Sequence, residues 1–183
     1  FTYNHQAMLA YWNGKFYLEY LGAHHNECDF GTETFLTVSE DGRQWAAPRV
    51  IFPAVEYENW RMTIAHQRMG FYFAPNGRLL VLGFYGIPKG KYNLPNTGFG
   101  LGRTAREIYK NGSIGPIYFI RCMPHAGYPK EVTAKWFPYY AESPDAGFIE
   151  ACNVLLADKL ATQQWWEEDR GEDGFFSLKG SDE

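Results

Sequence analysis

Histidine is the side chain whose charge changes nearest neutral pH, and this sequence places five of them in a pattern. His5 opens the stretch HQAM and His66 opens HQRM, each followed by an apolar run and an Asn-Gly turn. His24 and His25 are adjacent in GAHHNECDFGTE, and His125 follows a strand-like run ending near residue 121. Arg61 and Arg68 flank the second HQ stretch, and Arg103 and Arg121 sit at the ends of other apolar runs. Imidazoles suit proton transfer near neutrality, and guanidinium groups suit two-pronged recognition of carboxylates. Together they point to chemistry on an acidic substrate. His5 or His66 would be the base, a tyrosine such as Tyr85 the acid, and Arg61 or Arg68 the carboxylate clamp, with His24, His25 and Arg103 around the substrate. Acids are also present in Glu19, Glu27, Asp29 and Glu33, so a two-carboxylate hydrolysis stays open. Capping of loops by each histidine separately is the purely structural alternative.

These residues have meaning only if something brings them to one place. Period-2 apolar runs between turn signals predict strands near 6–12, 15–21, 34–39 and 48–52, then near 68–74, 78–84, 101–109 and 116–121. Asn13-Gly14, Asp41-Gly42, Asn76-Gly77 and Asn111-Gly112 mark tight hairpins, and 22–33 and 86–98 are long loops. Each set therefore runs strand, tight turn, strand, long loop, strand, tight turn, strand. That recurrence predicts an all-β chain of two four-stranded antiparallel meander blades from an incomplete β-propeller, blade 1 over about 5–52 and blade 2 over about 66–122. A single eight-stranded sandwich is the alternative. In an up-and-down blade both tight turns lie at one end, which puts all five histidines and the four arginines at the other.

Beyond the second set, SPDAGFIEACNVLLADKLATQQWW changes period. Ser143 is an N-cap candidate and Pro144 a first helical residue. Phe148, Cys152, Leu155, Leu156 and Leu160 recur at three- and four-residue steps, which predicts a helical insertion over about 143–166.

The stretch SEDGRQW at Ser39–Trp45 resembles the Asp-box of sialidase-like (BNR) propellers, one residue short between Asp41 and Gly42. WRMTIAHQRMGFYFAPNGRLLVLGF resembles the arginine-bearing first strand of sialidases. Asn4-His5-Gln6 followed by YWNGKFY is similar to the blade start of bacterial glycan-degrading propellers, including polysaccharide lyases and rhamnose–glucuronate cleaving enzymes. The resemblance implies an oligosaccharide or polysaccharide substrate carrying an acidic sugar, cleaved by a lyase or a glycoside hydrolase. A non-catalytic glycan-binding or scaffold propeller would use the same loops with Trp and Tyr rings for stacking.

The remaining composition narrows the classes. A net charge of −4 gives no basic footprint for nucleic acid, and no apolar run is long enough to span a membrane. Three cysteines form neither a CxxC pair nor an even framework. No cofactor is required by the sequence, although His5, His66 and a loop histidine would also suit a divalent metal. With only two blades in view and Phe1 at its start, the sequence reads as a piece of a larger protein, with a secreted or periplasmic setting implied by its substrate class.

Overall fold

The computed structural model describes residues 2–26, 29–58, 61–66, 70–87, 100–124 and 127–162, with 57–58, 61–62 and 64–66 as backbone only. The first sheet is the antiparallel meander β1 (Tyr3–Trp12), β2 (Lys15–Ala23), β3 (Glu33–Ser39) and β4 (Arg49–Phe52), in that spatial order. A short hairpin of β5 (Glu56–Glu58) and β6 (Arg61–Met62) follows. In the second sheet, β7 (Ile64–His66) and β8 (Phe71–Phe73) both pair with β9 (Leu79–Gly86), which is followed by β10 (Gly100–Ile108) and β11 (Tyr118–Cys122). The fold is thus two four-stranded propeller blades, the first strand of the second being divided in two.

Turn chemistry accounts for the tightest hairpin. Asn13 and Gly14 both adopt positive φ, 50° and 78°, as a two-residue loop between right-twisted strands requires. At Asn76-Gly77 only the glycine does so, because that turn is longer and closes through the Gly77 amide to Ala74 O and the Ala74 amide to Arg78 O. The turn after β3 is held by Asp41, whose Oδ1 accepts the amides of Arg43 and Gln44, both at 2.8 Å. Those amides hold its carboxyl below the ordinary carboxylate range.

Alternation along β9 divides the interior. Leu79, Val81 and Tyr85 face the first sheet and pack with Tyr17, Leu36, Ile51 and Phe52. Leu80 and Leu82 face the opposite way, with Ala105, Tyr118 and Ile120, toward a helix. The blades are also joined by polar contacts: Asn13 Nδ2 donates to Lys110 O at 3.1 Å and Arg49 Nη2 to Gly112 O at 2.7 Å. Arg106 reaches from β10 to donate to Ile51 O.

That helix is α2 (Ala146–Ala157), preceded by a single turn α1 (Lys130–Thr133) and a 3-10 turn at Tyr140–Glu142. Its N-cap is Asp145 rather than Ser143: Asp145 Oδ1 accepts the amides of Gly147 at 2.9 Å and Phe148 at 3.1 Å. A carboxylate one residue nearer the helix outcompetes the serine hydroxyl, which instead accepts the Asp145 amide. The helix also stops earlier than its apolar period predicts. Asp158 terminates it and caps α3 (Lys159–Thr162), which leaves Leu160 exposed. Phe148, Ala151, Cys152 and Leu155 cover the second sheet, each large side chain contributing roughly 1.5–3 kcal/mol by burial.

Candidate functional site

The long-loop end of the first blade is built around two features, a break in β1 and a turn after β2. His5 pairs with Leu21, but the next paired residue, Met8, faces Glu19, so β1 carries one extra residue over this stretch. Gln6 absorbs it at φ 53°. The equivalent place in the second blade is the gap between β7 and β8, where His66 pairs with Phe84 and Phe71 with Val81. Both HQ stretches therefore begin where an innermost strand leaves regular pairing. This is the local reason for the repeated motif.

His5 is exposed, with its ring 5.8 Å from that of Tyr3. Asn4, His5, Gln6, Ala7, Leu18 and Tyr20 line an open cleft of about 400 Å³ beside it. In the turn after β2, Asp29 Oδ2 accepts the His25 amide at 2.6 Å and the Asn26 amide at 3.1 Å, and Nδ1 of His25 lies 3.2 Å away. Asp29 Oδ1 accepts Asn26 Nδ2 at 2.9 Å. Burial pulls the Asp29 carboxyl upward, but the two amides and the His25 ring outweigh it and leave the group below its ordinary pKa. The turn presents the His24 and His25 rings side by side, 6.3 Å apart, and the Thr2 hydroxyl donates to His24 O.

Other expected residues lie elsewhere. Tyr85 has no exposed surface, and its hydroxyl donates to Pro53 O at 2.7 Å across the blade seam. Burial raises its pKa well above the usual phenol value, so a role as acid to a bound sugar does not fit it. Arg103 is also a core group, 1% exposed, with its guanidinium 4.8 Å from the centre of the Phe84 ring. A strand position next to Phe84, on the face turned away from the first blade, puts it out of reach of a substrate. Arg61 and His66 are placed by backbone alone, and Arg68 and His125 lie outside the described residues. By register His66 pairs with Phe84 and His5 with Leu21. The two are equivalent within the repeat, one blade apart.

One acid at this end lies in the interior. Glu19 of β2 sits fully buried on the seam face, between Tyr17 and Leu21 in the alternation. Its signal was a charged residue at a core-facing position of KFYLEYLGA. The other described acids near this end are engaged: Glu33 Oε1 accepts the Ala54 amide at 3.2 Å, and Asp29 holds its turn. Among the described residues no three His, Cys, Asp or Glu side chains converge to hold a metal ion. The expected His5–His66–loop histidine metal site depends on a His66 side chain outside the described atoms.

Residues 1–182 match the family described as "Beta-prop_BT_1020:-like, N-terminal beta propeller". A solved structure titled "Sialidase" is similar with a TM-score of 0.84 and 42% sequence identity, over 94% of this chain and 17% of that one. The chain thus spans 17% of the length of the solved protein it resembles. No curated protein matches it.

Proposed function

Because the chain belongs to the BT_1020-like N-terminal β-propeller family, we propose that it forms part of the glycan-handling wall of a carbohydrate-active propeller protein. That longer protein, in this reading, cleaves a glycosidic linkage next to an acidic sugar. The observation that carries the reading is the placing of His5, which lines an open cleft, and of His24 and His25, in the turn after β2, at the same end of the first blade. The likeness of SEDGRQW to an Asp-box and the similarity to a protein titled sialidase support the substrate class.

The arrangement favours elimination over two-carboxylate hydrolysis. Asp29 and Glu33 are committed to backbone amides and Glu19 is buried, so the described acids at this end are not poised as a pair across a sugar. In an elimination, His5 takes the proton α to the uronate carboxylate, the bond from C4 to the glycosidic oxygen breaks, and a C4–C5 double bond forms. The leaving oxygen acquires a proton from solvent or a neighbouring acid. Arg61 and Arg68 are the proposed carboxylate clamp. A polymeric substrate implies action in the periplasm or outside the cell.

The test uses the full-length protein and a panel of uronate-containing oligosaccharides. Elimination produces ultraviolet-absorbing unsaturated uronate, hydrolysis only new reducing ends. His5→Gln should lower turnover about 10²–10⁴-fold with sugar affinity little changed, as expected for loss of a general base. Unchanged turnover in that variant would remove His5 from the chemistry.

The engaged acids and the buried Tyr85 equally favour a second reading, a non-catalytic glycan-binding blade pair. There His5→Gln would weaken binding, and no product would form from any glycan of the panel.

A further inference from the structure

The helix-side face of the second sheet ends in a cavity at its tight-turn end. Glu107 of β10 pairs with Leu80 and Tyr118 of β11 with Ala105, so both side chains share the face that α2 covers. Tyr109, two residues beyond Glu107, extends the same row past the end of β10. The start of α2, from Ser143 to Phe148, lies over these residues and closes a space of about 200 Å³. That is the volume of roughly seven waters, room for one sugar-sized ring. The long loop and the histidines lie at the other end of the strands, where β10 begins at Gly100.

Two glycines shape the cavity. A Cβ added at Gly115 would stand 2.9 Å from the Tyr109 hydroxyl, so this phenol lies over bare backbone. One added at Gly147 would stand 2.5 Å from Arg78 Nη2, so the guanidinium reaches the first turn of the helix. There Arg78 donates to both Asp145 and Glu107, one cation between two carboxylates, and the wall keeps a net negative charge. The amides of Gly147 and Phe148 are already taken by Asp145 Oδ1, so the helix start has none to offer an anion. Burial, with Glu107 and Asp145 nearby, holds the Tyr109 phenol above its ordinary pKa and keeps it a neutral donor. Tyr118 is only 8% exposed, its ring packed 5.1 Å from that of Phe148. Its hydroxyl has no hydrogen-bond partner among the described residues.

The ligand follows from these groups. The hydroxyls of Tyr109, Tyr118 and Ser143 each donate and accept, as the hydroxyls of a sugar do. Ser143 Oγ accepts the Asp145 amide and keeps its own proton to give. The aromatic walls suit the C–H face of a saturated ring. An acidic ligand meets two carboxylates here, and an ammonium group, which only donates, leaves the phenol protons without acceptors. We propose that the cavity between the second sheet and the start of α2 binds one neutral sugar residue, held by the hydroxyls of Tyr109, Tyr118 and Ser143 against Phe148. This site is separate from the cleft beside His5, at the opposite end of the strands, and it selects a neutral sugar rather than an acidic one.

The test uses the full-length protein with methyl glycosides of neutral hexoses and pentoses, a methyl uronoside and a small alkylammonium salt. Calorimetric titration gives affinities, and hydrogen exchange gives the place of binding. At least one neutral glycoside should bind and protect residues 107–118 and 143–148, with the uronoside at least about 10-fold weaker at those segments. Tyr118→Phe keeps the ring and should weaken the neutral glycoside about 5-fold, as for loss of one hydrogen bond. Ser143→Ala serves in its place should that variant not fold. Turnover of uronate oligosaccharides should be the same in both variants as in the unmodified protein. Binding and turnover are read separately, so glycoside protection at these segments supports the site whether or not the protein cleaves uronates. The proposal is overturned if no neutral glycoside protects these segments, if the uronoside or the ammonium salt binds there as tightly, or if neither substitution changes the affinity.

Discussion

The carboxyl of Glu19 in β2 lies buried against the backbone amide of Gly70, across the seam between the two blades. The Gly70 amide offsets part of the cost of burial without reaching full hydrogen-bond geometry. Burial therefore dominates, and it raises the Glu19 pKa well above the ordinary carboxylate value. The folded protein holds this proton at pH values where the unfolded chain has lost it. Its contribution is full below the unfolded carboxylate pKa and is lost as pH rises through the raised folded one. Glu19→Gln, which keeps the shape and removes the titration, should raise the Tm by a few degrees at pH 8 and have little effect near pH 4. Thermal melts of both proteins across this range check it; a difference that stays constant with pH would show that Glu19 does not titrate on the seam.

Gly70 itself is the second point of sensitivity. It adopts φ 63°, and an added Cβ would stand 3.1 Å from Met8 Cβ in the opposite blade. Gly70→Ala combines left-handed strain of roughly 1–2 kcal/mol with a contact that Met8 must yield to. Chemical denaturation should show a loss of at least about 1 kcal/mol. A neutral result would mean that the seam opens freely at the break between β7 and β8.

Tyr85→Phe separates structure from chemistry. The hydroxyl's bond to Pro53 O joins the blades, so its loss should cost about 1 kcal/mol in a denaturant titration while leaving glycan turnover and affinity unchanged. A fall in kcat at unchanged stability would restore Tyr85 as a reacting group.

The blades were legible because their signal is local: alternating residues and Asn-Gly or Asp-Gly turns specify strands and hairpins without reference to the rest of the chain. The roles of Tyr85 and Arg103 were not. Both lie near the strand ends that the meander assigns to the histidine side, but exposure is decided by what packs over a strand. In β9 that is the first blade on one face and α2 with its neighbours on the other. The division of the first strand into β7 and β8 was hidden for a similar reason, since the bulge follows from register between two strands. The pattern HQxM recorded its position without disclosing its shape. Asp145 takes the helix cap from Ser143 by its nearness to the helix, whereas its contact with Arg78 was hidden because only the folded chain brings the two together.

That last contact is testable. Arg78 Nη1 and Nη2 donate to Asp145 at 2.7 and 2.9 Å, and Arg78 also donates to Glu107, pinning α2 to the second blade. Arg78 together with the cap amides holds the Asp145 pKa below its ordinary value. The stability it contributes is present above the unfolded carboxylate pKa and lost as pH falls through the lowered folded one. Asp145→Ala should cost about 1–2 kcal/mol at pH 7, mostly through the cap, because the side chain is 40% exposed and solvent screens the pair. Asp145→Asn should retain most of the cap and lose the acid-side pH dependence. Equal losses in the two variants would assign the effect to the ion pair.

The turn after β2 offers the most direct link from geometry to the proposed activity. Asp29 is the acceptor that organises His25 and Asn26, with two backbone amides and two side-chain groups converging on it. Its exposed pairing with the His25 ring adds little stability by itself, because water competes for both groups. Its effect is on order: without an acceptor the two amides turn to solvent and the His24 and His25 rings lose a fixed direction. Asp29→Ala should therefore leave the Tm nearly unchanged while raising hydrogen exchange at residues 25 and 26. If these histidines contact the sugar, KM should rise several-fold with kcat retained, the pattern of a group that positions binding residues. Asp29→Asn keeps an acceptor for the amides and should recover most of that loss. Faster exchange in Asp29→Ala with unaltered KM would place the glycan away from this loop and leave His5 and its cleft to carry the site.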